Sequence, residues 1–256
     1  VEYFGTKYKG WQIQKSTDDT IQSRIDEALS KIADSEIKST CAGRTDAGVN
    51  ALSQVIHFDS EKKRTLKAWT EGCNSILPDD IKFIWVKKVS DDFHARFSAF
   101  KRTYKYIVLN KKNTSIFYKN RTLHIKDKIN LEIMKEASKY LIGEKDFTSF
   151  RSSGCQSKSS TRKVYEINIS KKKDLITFEI SANAFLLNMV RIIVGTLLEF
   201  GLENRNPNSM KSIIEGCDRS LSGKTIASDG LYFIGPEYPS KFKIKKPPLK
   251  YQILPN

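Results

Sequence analysis

The segment Cys41–Ala51, CAGRTDAGVNA, holds the densest group of residues that could do chemistry. Glycines stand on both sides of Arg44 and Asp46, so the backbone can turn sharply there and a bulky ligand can come close. An ionised carboxylate in such a loop is suited to nucleophilic or acid–base catalysis. The alternative is an ordinary turn in which Asp46 caps its own backbone and Arg44 pairs with a surface acid.

A second candidate is Arg191, which lies within the apolar segment Ala184–Leu202, where Glu199 is the other charged residue. A charge at the centre of a membrane helix costs roughly 3 kcal/mol, so the segment is predicted to be a buried core helix. The guanidinium must then reach solvent or meet an interior acid, because an unpaired buried charge is too costly. Asp46 is one of few acids placed for this, and such a pairing would lower the pKa of its carboxyl and keep it ionised.

A third candidate is the strand pattern around Tyr104. Alternation places Tyr104 and Tyr106 on one face together with Arg102, and two lysines on the other. Aromatic rings beside cations are what unstacked bases bind in single-stranded or flipped nucleic acid. The alternative is that these tyrosines are ordinary core residues of a strand.

Metal and nucleotide chemistry find little support in the sequence. The chain has 3 histidines and 4 cysteines, with no CxxC spacing, no HExxH, no GxGxxG and no GxxxxGK[ST]. Neither a zinc site nor a disulfide framework is expected, and a reducing cytoplasm fits. The chain starts without Met, and its opening residues show no secretory pattern.

The composition predicts a folded protein with an anionic partner. With 39% hydrophobic residues and 7 prolines, the chain is neither collagen-like nor disordered. Its formal net charge of +15 favours a phosphate-rich polymer or an acidic membrane surface as partner. A lysine-rich solvated surface is the simpler alternative.

Periodicity predicts alternating strands and helices. Apolar residues at spacings of 3 and 4 indicate a helix over 20–33, with Thr20 as its cap. Further helices are expected at 66–73, 130–141 and within 184–202, and strands at 55–58, 81–86, 104–109, 164–169, 176–180, 232–234 and, in the tail, 241–250. The order predicts an α+β fold of two similar halves, 1–110 and 111–256.

Five ordered blocks resemble the bacterial tRNA pseudouridine synthase A family. EYFGTKYKGWQ is similar to the family's opening, and AGRTDAGVNALSQVIHF is similar to its signature. DDFHARFSAFKRTYKY, GEKDFTSFR and ANAFLLNMVRIIVG follow at family-like intervals, with DGLYF as a weaker sixth match. The resemblance implies a pseudouridine synthase fold, in which each half is an antiparallel sheet with helices on one face and the active-site cleft lies between the halves.

The resemblance also implies roles for individual residues. Asp46 would be the catalytic aspartate, Tyr104 a stacking and proton-handling tyrosine, and Arg191 a salt-bridging arginine. Leu231 would pack on the target base, and Arg44 would extrude the uridine and fill its place. The remaining residues predicted to support the pocket or bind substrate are Arg96, Phe97 and Arg102.

The implied reaction is isomerisation of uridines 38, 39 and 40 in the tRNA anticodon arm, without cofactor, metal or membrane. The target base must be flipped out of its helix, and a homodimer would present one tRNA across both subunits. Asp46 would attack the sugar or remove a 2′ proton, and the sequence does not separate the two.

Three departures from the family pattern are visible. Asn50 replaces a histidine, Leu187-Asn188 replaces His-His, and Ser228-Asp229 stands where a proline-containing segment is common. None of these falls on the catalytic positions. The lost imidazoles nevertheless motivate an alternative, a non-catalytic tRNA-binding or RNA-folding protein that keeps the fold.

Overall fold

The computed structural model describes residues 1–245 and residue 247. The chain forms two compact units. The first contains residues 1–102 together with the described residues from 232 onward, and the second contains residues 103–231. The first unit is therefore built from two separate segments of the chain, and the division into domains 1–110 and 111–256 stays a prediction.

Strands and helices of very different lengths make up both units. The strands are β1 (Glu2–Tyr3), β2 (Thr40–Cys41), β3 (Asn50–Ala51), β4 (Ile56–His57), β5 (Ile81–Lys82), β6 (Lys101–Asn110), β7 (Leu123–Ile125), β8 (Gly143–Asp146), β9 (Thr161–Lys172), β10 (Leu175–Ala182) and β11 (Leu231–Glu237). The helices are α1 (Ile21–Ala33), α2 (Cys73–Ile76), α3 (Leu131–Lys139), α4 (Met189–Glu203) and α5 (Ser209–Glu215). A π-helical turn, Ala68–Gly72, precedes α2.

In the first unit, the strand order is β5–β1–β3–β11. β1 pairs antiparallel with β3 and β5, whereas β3 and β11 are parallel, with Tyr232 opposite Asn50. β2 and β4 form a separate antiparallel pair. Parallel neighbours need a long connection between them, and here residues 52–230, which include nearly all of the second unit, form it.

In the second unit, the strand order is β6–β10–β9–β8, and β7 pairs with β6. β9 and β10 form a long antiparallel hairpin, and β6 and β7 are parallel. The sheets are therefore mixed and not wholly antiparallel as expected. The predicted α+β class is confirmed.

Helix α1 shows how the sequence pattern becomes structure. Ile21, Ile25 and Leu29 are buried, because the apolar spacing places them on one face of the helix. The Thr20 side chain accepts a hydrogen bond from the backbone N–H of Ser23, which confirms the predicted cap. The chain leaves the helix through Asp34 in the left-handed conformation.

Helix α4 is buried along most of its length, as its apolar sequence predicts. Ile192, Ile193 and Leu197 are fully inaccessible to solvent. Within the described residues, no helix is long and apolar enough to cross a membrane.

Two predicted strands differ from the structure. β5 ends at Lys82, because the Asn74 side chain accepts from the Phe83 N–H and donates to the Phe83 carbonyl, in place of a neighbouring strand. In the predicted tail strand, the described residues include a 3₁₀ turn, Ser240–Phe242. Residues 246 and 248–250 of that segment lie outside the described residues.

Candidate active site

Residues 42–49 form a loop between β2 and β3, here called the Asp46 loop. The opening segment of the chain holds its backbone: the Trp11 N–H donates to the Thr45 carbonyl at 2.9 Å, and the Gly48 N–H donates to the Tyr8 carbonyl at 3.4 Å. On the other side, the Gln54 side-chain amide donates to the Gly43 carbonyl at 2.7 Å. The loop is thus fixed from both directions by residues of the first unit.

Gly10 lets the opening segment approach the Asp46 loop. Its φ of +97° is a conformation that side chains rarely adopt. A Cβ atom there would lie 2.9 Å from the Thr45 carbonyl oxygen and 3.2 Å from the Ala47 nitrogen. The glycine of the YKGW segment therefore belongs to the support of the loop.

Side chains of the Asp46 loop alternate between the interior and the surface. Thr45 is buried, and its hydroxyl shares a 2.8 Å hydrogen bond with the Tyr3 hydroxyl. Burial raises the pKa of Tyr3, so this phenol is neutral at physiological pH. Arg44 is exposed and Asp46 is half-buried. The buried threonine thus anchors a loop whose two charged neighbours reach the surface or its edge.

Asn50, one of the departures from the family pattern, lies beneath the Asp46 loop. Its side chain is 1% exposed, and its Oδ1 accepts from the Gly5 N–H at 2.9 Å. Gly5 is needed there because a Cβ atom would lie 2.0 Å from the Val49 carbonyl oxygen. In this chain the position is therefore occupied by a residue that binds backbone.

Arg102 connects the Asp46 loop with the segment before β6. It is buried, and its guanidinium donates to the carbonyls of Ala42, Ala99 and Arg96. Ala42 and Ala99 also belong to an apolar cluster with Phe93. These contacts join Arg102 to the protein's own backbone, and its contact with substrate stays a prediction.

Arg96 and Phe97 lie in an exposed turn. Phe97 is 75% exposed, and the Arg96 guanidinium lies 5.5 Å from its ring centroid. The Nδ1 of His94 accepts from the backbone N–H groups of both residues, at 3.1 and 3.2 Å. The His94 side chain therefore shapes the turn that presents an aromatic ring and a cation to solvent.

In the second unit, Arg191 is half-buried on the first turn of α4. Its Nε donates to the Ile226 carbonyl at 2.7 Å, and one Nη donates to Oδ1 of Asn188 at 2.7 Å. Asn188 itself adopts the left-handed conformation, with φ of 60°. Asp46 belongs to the other unit, so its predicted ion pair with Arg191 stays a prediction.

Gly195 brings residues 223–226 against α4, one turn after Arg191. A Cβ atom on Gly195 would lie 2.1 Å from the Lys224 carbonyl oxygen. The Gly223 N–H donates to the Thr196 hydroxyl at 2.9 Å, and the Lys224 N–H donates to the Glu199 carboxylate at 3.0 Å. This close approach places the Ile226 carbonyl within hydrogen-bond distance of the Arg191 guanidinium.

Tyr104 and Tyr106 are buried on the same face of β6, as the alternation predicts. The Tyr104 ring packs edge-to-face on Phe185, with 5.0 Å between the ring centroids. The Tyr106 hydroxyl donates to the Ala227 carbonyl at 2.7 Å. Tyr106 is thus committed to the core, whereas the described contact of Tyr104 is with another ring.

Leu231 begins β11 and is buried. Its N–H donates to the Ser228 carbonyl at 2.8 Å, which closes a tight turn over the DGL segment. The Gly230 carbonyl accepts from the Ile107 N–H at 2.9 Å. The Ile107 N–H therefore holds the backbone just before this predicted base-contacting position.

The described residues contain no cluster of three or more His, Cys, Asp or Glu side chains that could hold a metal ion. All four cysteines are free thiols.

Sequence reasoning missed several supporting residues. Gly10 and Tyr3 carry no charge, and only their contacts with residues 45–47 show their part in the loop. Arg151 lies within the GEKDFTSFR block, yet the block itself predicted no role for it. Its contacts come from the loop that follows, so only the folded chain places it beside Arg219 in a cavity wall.

The sequence pattern of the tRNA pseudouridine synthase family matches residues 1–98 and 137–239. This chain, with its α+β fold, therefore belongs to that family, whose members are isomerases that convert uridine in tRNA to pseudouridine. The predicted class of enzyme is confirmed.

Three relatives agree more specifically. The tRNA pseudouridine synthase A of Colwellia psychrerythraea is 45% identical over 246 residues, which cover 96% of this chain and 95% of that protein. The enzymes of the same name from Francisella philomiragia and Buchnera aphidicola are each 45% identical, over 93% and 95% of this chain and 92% of theirs. The resemblance to the synthase A family is confirmed.

A solved structure of a Cbf5-Nop10-Gar1 complex contains a chain that aligns with 91% of this one and 49% of its own length. The TM-score of this alignment is 0.38 and the identity is 11%.

Proposed function

We propose that this enzyme isomerises uridines 38, 39 and 40 in the anticodon arm of tRNA, with Asp46 as its catalytic carboxylate. The observation that carries the proposal is the Asp46 loop. Its backbone is held by Trp11, Tyr8 and Gln54, while Thr45 is buried, Asp46 is half-buried and Arg44 is exposed. A carboxylate on a pre-organised loop needs little rearrangement to act.

The reaction breaks the N1–C1′ bond of uridine and joins C5 to C1′. The C5 proton is lost and N1 regains a proton, so the product is an isomer of the substrate. Asp46 would attack C1′ or remove the proton from C2′. We propose Tyr104 as the residue that stacks on the uracil and assists loss of the C5 proton.

The remaining site residues have supporting parts in this proposal. Arg191 is held by Ile226 and Asn188 in a fixed orientation, which suits a cation that keeps a carboxylate ionised. Leu231 would pack on the base. The exposed Arg44 would enter the helix in place of the flipped uridine, and the turn of Arg96 and Phe97 would contact RNA.

Asp46→Asn tests the catalytic assignment. We expect tritium release from C5-labelled tRNA to fall roughly 10³-fold or more at saturating tRNA, while the Kd for tRNA stays within about threefold. Asp18→Asn removes the same charge from an exposed position and is the control. Retained turnover in the Asp46 variant would overturn the assignment.

The target positions need a separate experiment. Transcripts that carry uridine at only one of positions 38, 39 and 40 should each accumulate pseudouridine. Modification elsewhere and at none of the three would contradict the proposed target. A formal net charge of +15 also predicts that tRNA affinity falls steeply with salt.

The proposal includes a homodimer, as the resemblance implies, that acts on tRNA in the cytoplasm. Analytical ultracentrifugation of the full chain checks the first part. A sedimentation coefficient of a monomer at micromolar concentration, with full activity, would contradict it.

A further inference from the structure

An open cavity of about 650 Å³ lies in the second unit, outside the residues assigned to catalysis. It is lined by Arg151 and Arg219, by hydroxyl side chains that include Ser152 and Thr225, and by the backbone of Gly154. Most of its lining residues carry a hydroxyl or a guanidinium group, and these donors suit an anion.

The two arginines are held in place without being neutralised. One Nη of Arg151 donates to the carbonyls of Cys155 and Ser157, both at 2.8 Å. Arg219 donates to the hydroxyls of Ser222 and Thr225, at 2.9 and 3.0 Å. Within the part of the chain that the structure describes, neither guanidinium forms a salt bridge.

A third arginine strengthens the positive potential of the cavity. Arg162 donates to the Ser157 hydroxyl at 2.6 Å, and its buried Nε has no hydrogen-bond partner among the described residues. Burial lowers the pKa of Arg162, Cys155 opposes the shift, and the nearby positive charge of Arg151 adds to it. Like charges are therefore gathered here, and an anion would offset their repulsion.

The acid beside the cavity is already committed to other groups. Asp146 accepts from the N–H and hydroxyl of Thr148, at 2.7 and 2.6 Å, and from the Ser160 hydroxyl at 2.8 Å. These hydrogen bonds hold the Asp146 carboxylate against Thr148 and Ser160. The hydrogen bond from Thr148 and, to a smaller extent, the charge of Arg151 lower the pKa of Asp146. Among the described residues, however, the carboxylate forms no salt bridge with Arg151 or Arg219.

We propose that this cavity binds one phosphodiester group of the RNA backbone. Guanidinium groups match the geometry of phosphate oxygens, and hydroxyls and a glycine N–H supply further donors. A single phosphate contact gives affinity and orientation without sequence preference. The identity of the RNA as tRNA rests on the proposed function, whereas the cavity's chemistry does not.

The cavity wall is also joined to the Arg191 region. The Asn188 amide donates to the Ser152 hydroxyl at 3.0 Å, and Asn188 accepts from Arg191 at 2.7 Å. The Ser152 N–H donates to the Leu187 carbonyl at 3.2 Å. A phosphate that holds the loop after Arg151 would therefore also hold the residue that orients Arg191.

Ser153→Glu and Ser153→Gln form the first test. Ser153 is exposed on the cavity rim, so both variants should fold, and they differ only in charge. We expect the Glu variant to bind unmodified tRNA roughly tenfold more weakly at 0.1 M salt, and the Gln variant to stay within about twofold of the wild type. Equal affinities for the two variants would overturn the proposal.

Arg219→Gln and Arg64→Gln form the second test. Arg64 is exposed, lies outside the cavity and donates to the Ile32 carbonyl. Each variant therefore removes one positive charge from an arginine that is hydrogen-bonded to uncharged groups. The slope of log K against log salt should fall by roughly 0.7–0.9 for Arg219→Gln and by clearly less for Arg64→Gln. Equal slopes for the two variants would contradict phosphate binding in the cavity.

Ethylation of RNA phosphates separates an RNA phosphate from a small ligand. One ethylated phosphate should weaken binding to the wild type and have little effect on Ser153→Glu. If inorganic phosphate binds the cavity while both Ser153 variants hold tRNA equally, the cavity serves a small anion and the proposal is wrong. Turnover by the wild type is measured in parallel, so a failure of the proposed activity is recognised separately.

Discussion

The Asp46 loop and the surroundings of Arg191 hold their charged residues in different ways. In the first unit, the loop is fixed mainly through its backbone, by N–H groups of Trp11 and Gly48 and by the close approach of Gly10. In the second unit, the Arg191 side chain itself is fixed, by the Ile226 carbonyl and the Asn188 amide.

This difference predicts different sensitivities to mutation. The conformation of a loop that is held through its backbone depends on how closely neighbouring backbone segments can approach it. Substitution of the glycines that allow this approach should therefore disturb the loop most. A guanidinium held by two hydrogen bonds should lose its orientation gradually as its partners are removed, because each bond contributes about 1–3 kcal/mol.

Gly195→Ala should have the largest effect on stability. Helix propensity alone would make the change stabilising by about 1 kcal/mol. The new Cβ would lie 2.1 Å from the Lys224 carbonyl oxygen, so we expect a net loss of about 3 kcal/mol. Urea unfolding measures the change in the free energy of unfolding. A stabilised variant would show that residues 223–226 are not held against α4.

Gly10→Ala should be next, and it tests the backbone support of the Asp46 loop. Strain at φ +97° and the contact with residues 45–47 should cost about 1–3 kcal/mol and lower turnover by roughly 10–100-fold. Gly143→Ala is the matched control, since its φ is +100° and nothing lies within 4 Å. Similar losses of turnover in both variants would argue against the loop contact.

Asn188→Ala should lower the free energy of unfolding by about 1–2 kcal/mol and reduce turnover. The change removes two hydrogen bonds and places alanine in a left-handed conformation that asparagine tolerates better. Asn188→Gly keeps the backbone unstrained and removes only the side chain. If Arg191 is oriented through this amide, both variants should lose turnover in single-turnover assays, while only Ala loses the additional stability. Full turnover in both would remove Asn188 from the support of Arg191.

Tyr3→Phe should cost about 1 kcal/mol, since it leaves the buried Thr45 hydroxyl without its phenol partner. Thermal unfolding and tritium release together measure the effect. Turnover should fall less than in Gly10→Ala, because the backbone contacts remain. A greater loss of turnover than in Gly10→Ala would show that side-chain contacts, and not backbone contacts, mainly hold the Asp46 loop.

The smallest expected effect is a dependence of stability on pH through His57. Burial, followed by the neighbouring His94, lowers the pKa of His57, whose Nδ1 accepts from the Ala95 N–H at 3.1 Å. The unfolded chain thus binds the proton more readily, and stability should fall as pH decreases through about 6.5. Thermal unfolding from pH 7.5 to 5.5 should show a smaller decline in His57→Gln, and equal declines would exclude His57 as the cause.

Much of this organisation could be predicted before the structure. The spacing of Ile21, Ile25 and Leu29 predicted α1 because a helical face is a local property. The apolar run around Arg191 likewise predicted a buried helix, and the alternation at Tyr104 and Tyr106 predicted a shared buried face. The family signature identified the candidate residues.

Other features depend on contacts between distant parts of the chain. β5 is shorter than predicted because Asn74 replaces a strand partner, and β11 pairs with β3 although Tyr232 and Asn50 are far apart along the chain. No local pattern carries such information. The same holds for Arg102, whose place on the Tyr104 face suggested substrate, while its described contacts are backbone carbonyls.

The sequence by itself determined the family, the net charge of +15, the residue types available for catalysis and the helices whose periodicity is local. Only the tertiary structure decided how Asp46 and Arg191 are supported, why Gly10 and Gly195 are glycines, and that Arg151 and Arg219 line one cavity. The physical reason is that a hydrogen bond or a close approach requires two groups in space, whereas periodicity requires only neighbours along the chain.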